Sequence, residues 1–140
     1  MAHILIVEDE PLIRFLIAKV LMDAHHSVHE VGDGLEGLHA LYATPQAFDL
    51  IILDVQMPKM DGFQFLDLLR RQPFYVPVVV VTAHRNLCVR IEERGADGCL
   101  SKPFNRKQLL GMVERLIFAN ASEFIGNPVS NAYASASLGR

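Results

Sequence analysis

Acidic side chains stand where two apolar segments of the chain end. Glu8 and Asp9 follow the apolar run Ile4–Val7, and Asp54 follows Leu50–Leu53. A carboxylate beside a core is costly unless it is paired or neutralised. Clustered carboxylates repel one another, and a hard divalent cation with oxygen ligands removes that repulsion. The three acids therefore predict a magnesium site, at which Asp54 can act as a nucleophile toward a phosphoryl group.

A hydroxyl and an amine follow two further apolar segments. Thr82 ends the β-branched run that begins at Val78, and Lys102 follows a short apolar segment that includes Leu100. Beside a metal, these two groups can hold the other oxygens of a phosphoryl group. Asp54, Thr82 and Lys102 are therefore the predicted catalytic residues.

Each of these residues also has a plainer interpretation. Glu8 or Asp9 can cap a first helix, since both precede a proline suited to a first turn. Thr82 can be only a strand-end residue, and Lys102 only a solvated charge. Asp61-Gly62 is predicted to form a turn and helix cap without chemistry.

The apolar pattern predicts five strands that alternate with five helices. This alternation is typical of a parallel sheet that is covered by helices on both faces. Val28–Val31 contains His29 and Glu30, which indicates a strand at the sheet edge. Asn105 is a suitable cap for the last helix. Sites in such sheets lie beyond the carboxyl ends of the strands, so the reactive side chains are expected at one rim.

Composition excludes several classes of protein. The 140 residues favour a single domain, and the net charge of −3 without a long basic run gives nucleic-acid binding no support. No apolar run approaches the roughly 18 residues of a membrane span, and the N-terminus lacks the basic region of a secretory signal. Cys88 and Cys99 fit a reducing cytosol better than a disulfide framework. We therefore expect a cytoplasmic protein that contacts no membrane.

Four segments of the sequence, in order, resemble the motif blocks of the response-regulator receiver domain of two-component signalling. They are "ILIVEDE", "LIILDVQMPKMDG", "VVVVTAH" and "GADGCLSKPF", and the resemblance covers roughly residues 2–119. It implies a flavodoxin-like, doubly wound α/β fold with a five-stranded parallel sheet of order 2-1-3-4-5 and five helices. We place the receiver domain at 1–120 and a tail without an output domain at 121–140, which either docks on the domain or stays disordered.

The resemblance also implies roles for the site residues. Asp54 is expected to be the phosphoacceptor, and Mg2+ is expected to bind Asp9 and Asp54 directly. Glu8 would act mainly through metal-bound water, and the backbone carbonyl of Gln56 would complete the metal ligands.

The remaining motif residues match the switching groups of receivers, with departures at Cys99 and His84. Thr82 matches the switch hydroxyl and Lys102 the phosphate-binding lysine, and the Lys102–Pro103 peptide is expected to be cis. Cys99 stands where receivers usually carry an aromatic residue or histidine that rotates on activation. We therefore expect movement of Thr82 to act through the loop that follows it, including His84, and through the fourth helix.

The function expected from this resemblance is that of a stand-alone receiver, either a phosphorylation-controlled interaction module or a carrier in a phosphorelay. A sensor histidine kinase or a histidine phosphotransferase would supply the phosphoryl group, and roughly residues 85–119 would contact an unknown output protein. The expected chemistry is limited to magnesium-dependent self-phosphorylation and autodephosphorylation.

Two alternatives come from other classes of protein. One is an aspartyl-phosphate phosphatase or phosphotransferase, but Gln56 stands where dehalogenase-like enzymes usually carry a second aspartate. The other is a flavodoxin-type electron carrier, but acids stand after the first strand in place of a phosphate-binding loop.

Overall fold

A computed structural model describes residues 1–125 of the chain, with side chains as far as residue 119. The strands are β1 (His3–Val7), β2 (Ser27–Val31), β3 (Leu50–Asp54), β4 (Val78–Thr82) and β5 (Gly98–Ser101). The helices are α1 (Pro11–Asp23), α2 (Gly34–Ala43), α3 (Gly62–Arg70), α4 (Leu87–Glu93) and α5 (Arg106–Ile125). The strands form one parallel sheet of order β2-β1-β3-β4-β5. The predicted fold class and strand order are confirmed.

The sheet separates two apolar cores, because successive side chains of a strand point to opposite faces. In β3, Ile51 and Leu53 pack with residues of α2 and α3, whereas Leu50 and Ile52 pack with residues of α1 and α5. Every residue of β3 and β4 is buried. In β2, by contrast, His29 and Glu30 are exposed, which confirms the predicted sheet edge.

Reciprocal side-chain caps begin two of the helices. In α3, Asp61 accepts a hydrogen bond from the Gln64 amide while the Gln64 side chain accepts one from the Asp61 amide. Asn105 and Gln108 make the same exchange at the start of α5. Both predicted caps are confirmed, and each satisfies backbone donors that a helix start otherwise leaves unpaired.

The last helix crosses the boundary that we placed at residue 120, since α5 extends to Ile125. The division into 1–120 and 121–140 stays a prediction. Docking of the tail concerns residues that lie mostly outside the described part of the chain.

The two cysteines are bonded to each other, so the expectation that they remain thiols is wrong. Cys88 in α4 and Cys99 in β5 form a disulfide with their Cα atoms 5.6 Å apart. The expectation rested on composition, and composition carries no information about which residues of α4 and β5 lie face to face.

Candidate functional site

The strand register places the candidate residues side by side at the carboxyl edge of the sheet. Val7 pairs with Leu53, so Glu8 and Asp54 follow at the same level of β1 and β3. Thr82 ends the adjacent β4 and pairs with Ser101 of β5, directly before Lys102. Residues that are far apart in the sequence therefore converge, as the parallel topology predicted.

Three carboxylates form the centre of this site. Glu8, Asp9 and Asp54 each offer an oxygen within 4.8 Å of the others. Glu8 is only 1% exposed and Asp54 only 4% exposed. The backbone amide of Gln56 donates to Asp54 Oδ1 at 3.4 Å, and that of Glu10 donates to Glu8 Oε2 at 3.2 Å. An all-oxygen cluster of this kind suits a hard divalent cation.

Lys102 brings the opposing charge to the acids. Its Nζ lies 3.3 Å from Glu8 Oε1 and 3.6 Å from Asp54 Oδ1. The Lys102 amide also donates to the Thr82 carbonyl at 2.7 Å. The Lys102–Pro103 peptide is cis, which confirms that prediction. The ammonium group therefore lies where it can contact both Asp54 and a group bound to it.

Burial changes the protonation of the acids. It raises the pKa of Glu8 from 4.5 to about 7, and the nearby charge of Asp54 adds to this effect. Burial also raises the pKa of Asp54, while the Lys102 ammonium opposes the rise. Near neutral pH and without a metal, Glu8 is thus protonated in a substantial fraction of molecules. A cation that binds here competes with that proton.

Thr82 and Gln56 lie at the site in different ways. Thr82 is fully buried, and its hydroxyl oxygen accepts a hydrogen bond from the His84 amide at 3.0 Å. The Thr82 hydroxyl is thus hydrogen-bonded to the loop through which we expected it to act. The Gln56 side chain is exposed, and only the Gln56 backbone borders Asp54.

Two contacts that support the site were not predicted from the sequence. Arg14 Nη1 donates to the Glu8 carbonyl at 2.7 Å and so anchors the backbone of the acidic turn. Lys59, with a φ of 71°, places its Nζ 3.5 Å from Asp33 Oδ2 and links the loop after β3 to the start of α2. The Lys59 turn, in "MPKMDG", was the one available signal, because its proline and glycine mark a tight turn.

Residues 4–114 match the model of the family described as the response regulator receiver domain. The chain belongs to this family. Its receiver role in two-component signalling is therefore established at the level of the family, and the comparisons favour this role over the phosphatase and the electron-carrier alternatives.

Other known proteins and solved structures resemble this receiver over most of its length. It is 40% identical to the transcriptional regulatory protein TcrA of Mycobacterium tuberculosis over 117 residues, which are 81% of this chain and 45% of TcrA. It is 38% identical to the nitrogen assimilation regulatory protein NtrX of Azorhizobium caulinodans, covering 84% of this chain and 26% of NtrX. The chain thus spans less than half the length of these two relatives. The chemotaxis response regulator CheY4 of Vibrio cholerae matches with a TM-score of 0.74 and 36% identity, covering 83% of this chain and 98% of CheY4.

Among the described residues of the receiver, no helix is both long and apolar enough to cross a membrane. The cytoplasmic location stays a prediction.

Proposed function

We propose that Asp54 is the phosphoacceptor of this receiver and that a phosphohistidine of a sensor histidine kinase or a histidine phosphotransferase is the donor. One observation carries the proposal. Asp54 ends β3, which lies between the strand that leads to Glu8 and Asp9 and the strand that ends in Thr82, and its Oδ1 lies 3.6 Å from Lys102 Nζ. Glu8 instead makes the closer contact with Lys102, and Asp9 stands on the more exposed side of the cluster.

The transfer exchanges one bond to phosphorus for another. An Asp54 carboxylate oxygen bonds to phosphorus as the phosphorus–nitrogen bond to the donor imidazole breaks, and the nitrogen retains the electron pair. Lys102 is positioned to neutralise a phosphoryl oxygen, and Thr82 can hold another once it leaves the His84 amide. Bound Mg2+ supplies further neutralisation of the transferred charge.

The ligands proposed for Mg2+ are Asp9 and Asp54 directly, Glu8 through water, and the Gln56 carbonyl. Support comes from the donor set, since all of these groups offer oxygen and the three carboxylates lie within 4.8 Å of one another. Mg2+ prefers a few carboxylates and several waters.

The test is phosphorylation by acetyl phosphate with and without magnesium, followed by intact mass measurement. We expect one added phosphoryl group on the unmodified chain, none on Asp54→Asn, and none in the presence of EDTA. Asp49→Asn is the matched control, because Asp49 precedes the opposite end of the same strand. Phosphorylation that persists in Asp54→Asn, or proceeds equally well in EDTA, would contradict the proposal.

The donor is proposed to dock beside the site on α1. Three large apolar side chains in the first half of this helix are exposed: Leu12 by 62%, Phe15 by 56% and Leu16 by 49%. Helix α1 begins directly after the acidic turn, so a partner bound there has its phosphohistidine close to Asp54. As the sequence analysis predicted, we propose that roughly residues 85–119 form the output surface. In this region α4, β5 and α5 adjoin Thr82 and Lys102.

Phosphotransfer profiling separates docking from chemistry. With the histidine kinase of the source organism that phosphorylates the unmodified chain fastest, Phe15→Glu should slow transfer by about tenfold or more, as expected when an interface anchor is lost. Phosphorylation by acetyl phosphate should be unchanged. Tyr42→Glu, which alters an exposed side chain of α2, is the control and should transfer normally. Equal transfer rates for Phe15→Glu and Tyr42→Glu would exclude docking on this part of α1.

A further inference from the structure

A disulfide joins two elements of the proposed output surface. Cys88 lies in the first turn of α4 and Cys99 lies in β5, and their Cα separation of 5.6 Å is ordinary for a bridge. Both cysteines are only partly buried, whereas the neighbouring Ile91 of α4 is fully buried. The bond therefore lies at the edge of the core rather than inside it.

The bond connects the loop after Thr82 to the sheet. The first turn of α4 is built on this loop, because the Leu87 amide donates to the His84 carbonyl at 3.0 Å and the Cys88 amide donates to that of Arg85 at 3.1 Å. The His84 amide in turn donates to the Thr82 hydroxyl. On the other side, Cys99 is held in β5 by its pairing with β4. The disulfide therefore restrains the segment that is attached to the switch hydroxyl.

The core of this fold is extensive apart from the bond. Two apolar clusters fill both faces of the sheet, and all residues of β3 and β4 are buried. Disulfides that supply missing stability are typical of small domains with insufficient cores. In a reducing compartment, by contrast, disulfides are usually transient and redox-sensing. The exposure and placement of this bond fit the second type.

We propose that Cys88 and Cys99 are a redox-sensitive pair whose closed bond holds α4 against β5 and weakens the response of this surface to phosphorylation. The inference rests on the proposed function of Asp54. A phosphorylated receiver can shift only between arrangements that its chain permits. The closed bond excludes those in which the first turn of α4 moves away from β5, and reduction restores them.

The redox step is thiol–disulfide exchange with a low-molecular-weight disulfide such as glutathione disulfide. One cysteine thiolate attacks a glutathione sulfur, which forms a mixed disulfide and releases one glutathione thiolate. The second cysteine thiolate then attacks the protein sulfur of that mixed disulfide and releases the second glutathione. The protein pair loses two electrons and two protons, and glutathione disulfide becomes two glutathione thiols.

The experiment compares the full chain in two redox states without requiring a variant. One sample is reduced with tris(carboxyethyl)phosphine and the other is oxidised with glutathione disulfide, and intact mass shows whether two hydrogen atoms have been lost. Amide exchange is then measured over residues 84–94, first alone and then with acetyl phosphate and magnesium. Residues 34–43 of α2, which the bond does not join, are the internal control.

We expect amide exchange over residues 84–94 to be at least about fivefold faster in the reduced protein. A factor of about five is the lower end of the coupling usually found between two sites of one protein. Acetyl phosphate should change the exchange of residues 84–94 further in the reduced protein and much less in the oxidised one. Exchange over residues 34–43 should be alike in both redox states. The variant with both Cys88→Ser and Cys99→Ser should behave as reduced under either condition.

Three results would overturn the proposal. They are failure of glutathione disulfide to close the bond, formation of a mixed disulfide alone, and equal exchange over residues 84–94 in the two redox states. If Asp54 accepted no phosphate in either state, the proposed function would fail instead. The comparison of oxidised and reduced protein without phosphodonor would still decide whether the bond restrains α4.

Discussion

Without a metal, the buried Glu8 should make this receiver less stable as the pH rises from about 4.5 to about 7. Its pKa lies near 7 in the folded protein, mainly because of burial, and at its ordinary value of 4.5 in the unfolded chain. Over this interval the unfolded chain releases a proton that the folded protein retains. As far as Glu8 is concerned, the folded protein is therefore most stable below about pH 4.5 and loses that stability as the pH rises toward 7.

The size of this effect follows from the two pKa values. At about 1.4 kcal/mol for each pH unit, the interval between 4.5 and about 7 corresponds to roughly 3 kcal/mol. Glu8 shares the site with Asp54, whose pKa is also raised by burial, so the two acids titrate together. The figure is worked from Glu8 alone, and the raised pKa of Asp54 acts in the same direction.

Urea denaturation in EDTA, at several pH values between 4.5 and 7.5, measures the effect. Glu8→Gln is the matched variant, because glutamine retains the size of the side chain and can still accept from Lys102. Burial lowers the pKa of His26, which makes stability rise with pH, but this contribution is common to both proteins. The difference between wild type and Glu8→Gln therefore measures the titration of Glu8 together with its effect on Asp54.

We expect the stability of wild type relative to Glu8→Gln to fall across the interval, and magnesium in place of EDTA to reduce the fall. A relative stability that is flat or rises in EDTA would refute the reasoning. In that case Glu8 would not be retaining its proton in the folded protein.

Three further predictions concern a close backbone contact, a partly buried ion pair and a proposed metal ligand. Gly62→Ala should destabilise the protein by about 1–3 kcal/mol in urea denaturation, because its Cβ would lie 2.8 Å from the Val55 Cα. Gly111→Ala, in open space on α5, should instead stabilise it by about 0.5–1 kcal/mol, and equal effects would disprove the steric argument. Asp97→Ala should cost about 2–3 kcal/mol, since the carboxylate accepts from Arg70 and from the Val78 amide, both at 2.8 Å, in a partly buried position. Asp67→Ala, which removes an exposed pair, should leave the urea midpoint nearly unchanged, and a comparable loss there would show that burial is not the cause. Asp9→Asn should weaken Mg2+ binding by at least about tenfold, or ~1.4 kcal/mol, in calorimetry at neutral pH, and unaltered affinity would remove Asp9 from the ligands.

Much of the fold follows from local pattern in the chain. The runs Leu50–Leu53 and Val78–Val81 are apolar at every position, which is typical of short strands covered on both faces. Parallel strands then bring their carboxyl ends to one edge, so Asp54 and Thr82 had to meet there. The caps at Asp61 and Asn105 are equally local, because each joins residues three apart.

Other features depend on contacts between elements that periodicity does not encode. The bond of Cys88 to Cys99 requires α4 to lie over β5 with these two side chains face to face. The raised pKa of Glu8 requires the near-complete burial of a carboxylate beside Asp54. The spacing of the motifs predicts that the two acids are neighbours, but it does not predict how deeply they are buried. Periodicity reports which side of an element is apolar. The partner, depth and charge environment of a single side chain come from how the helices pack on the sheet.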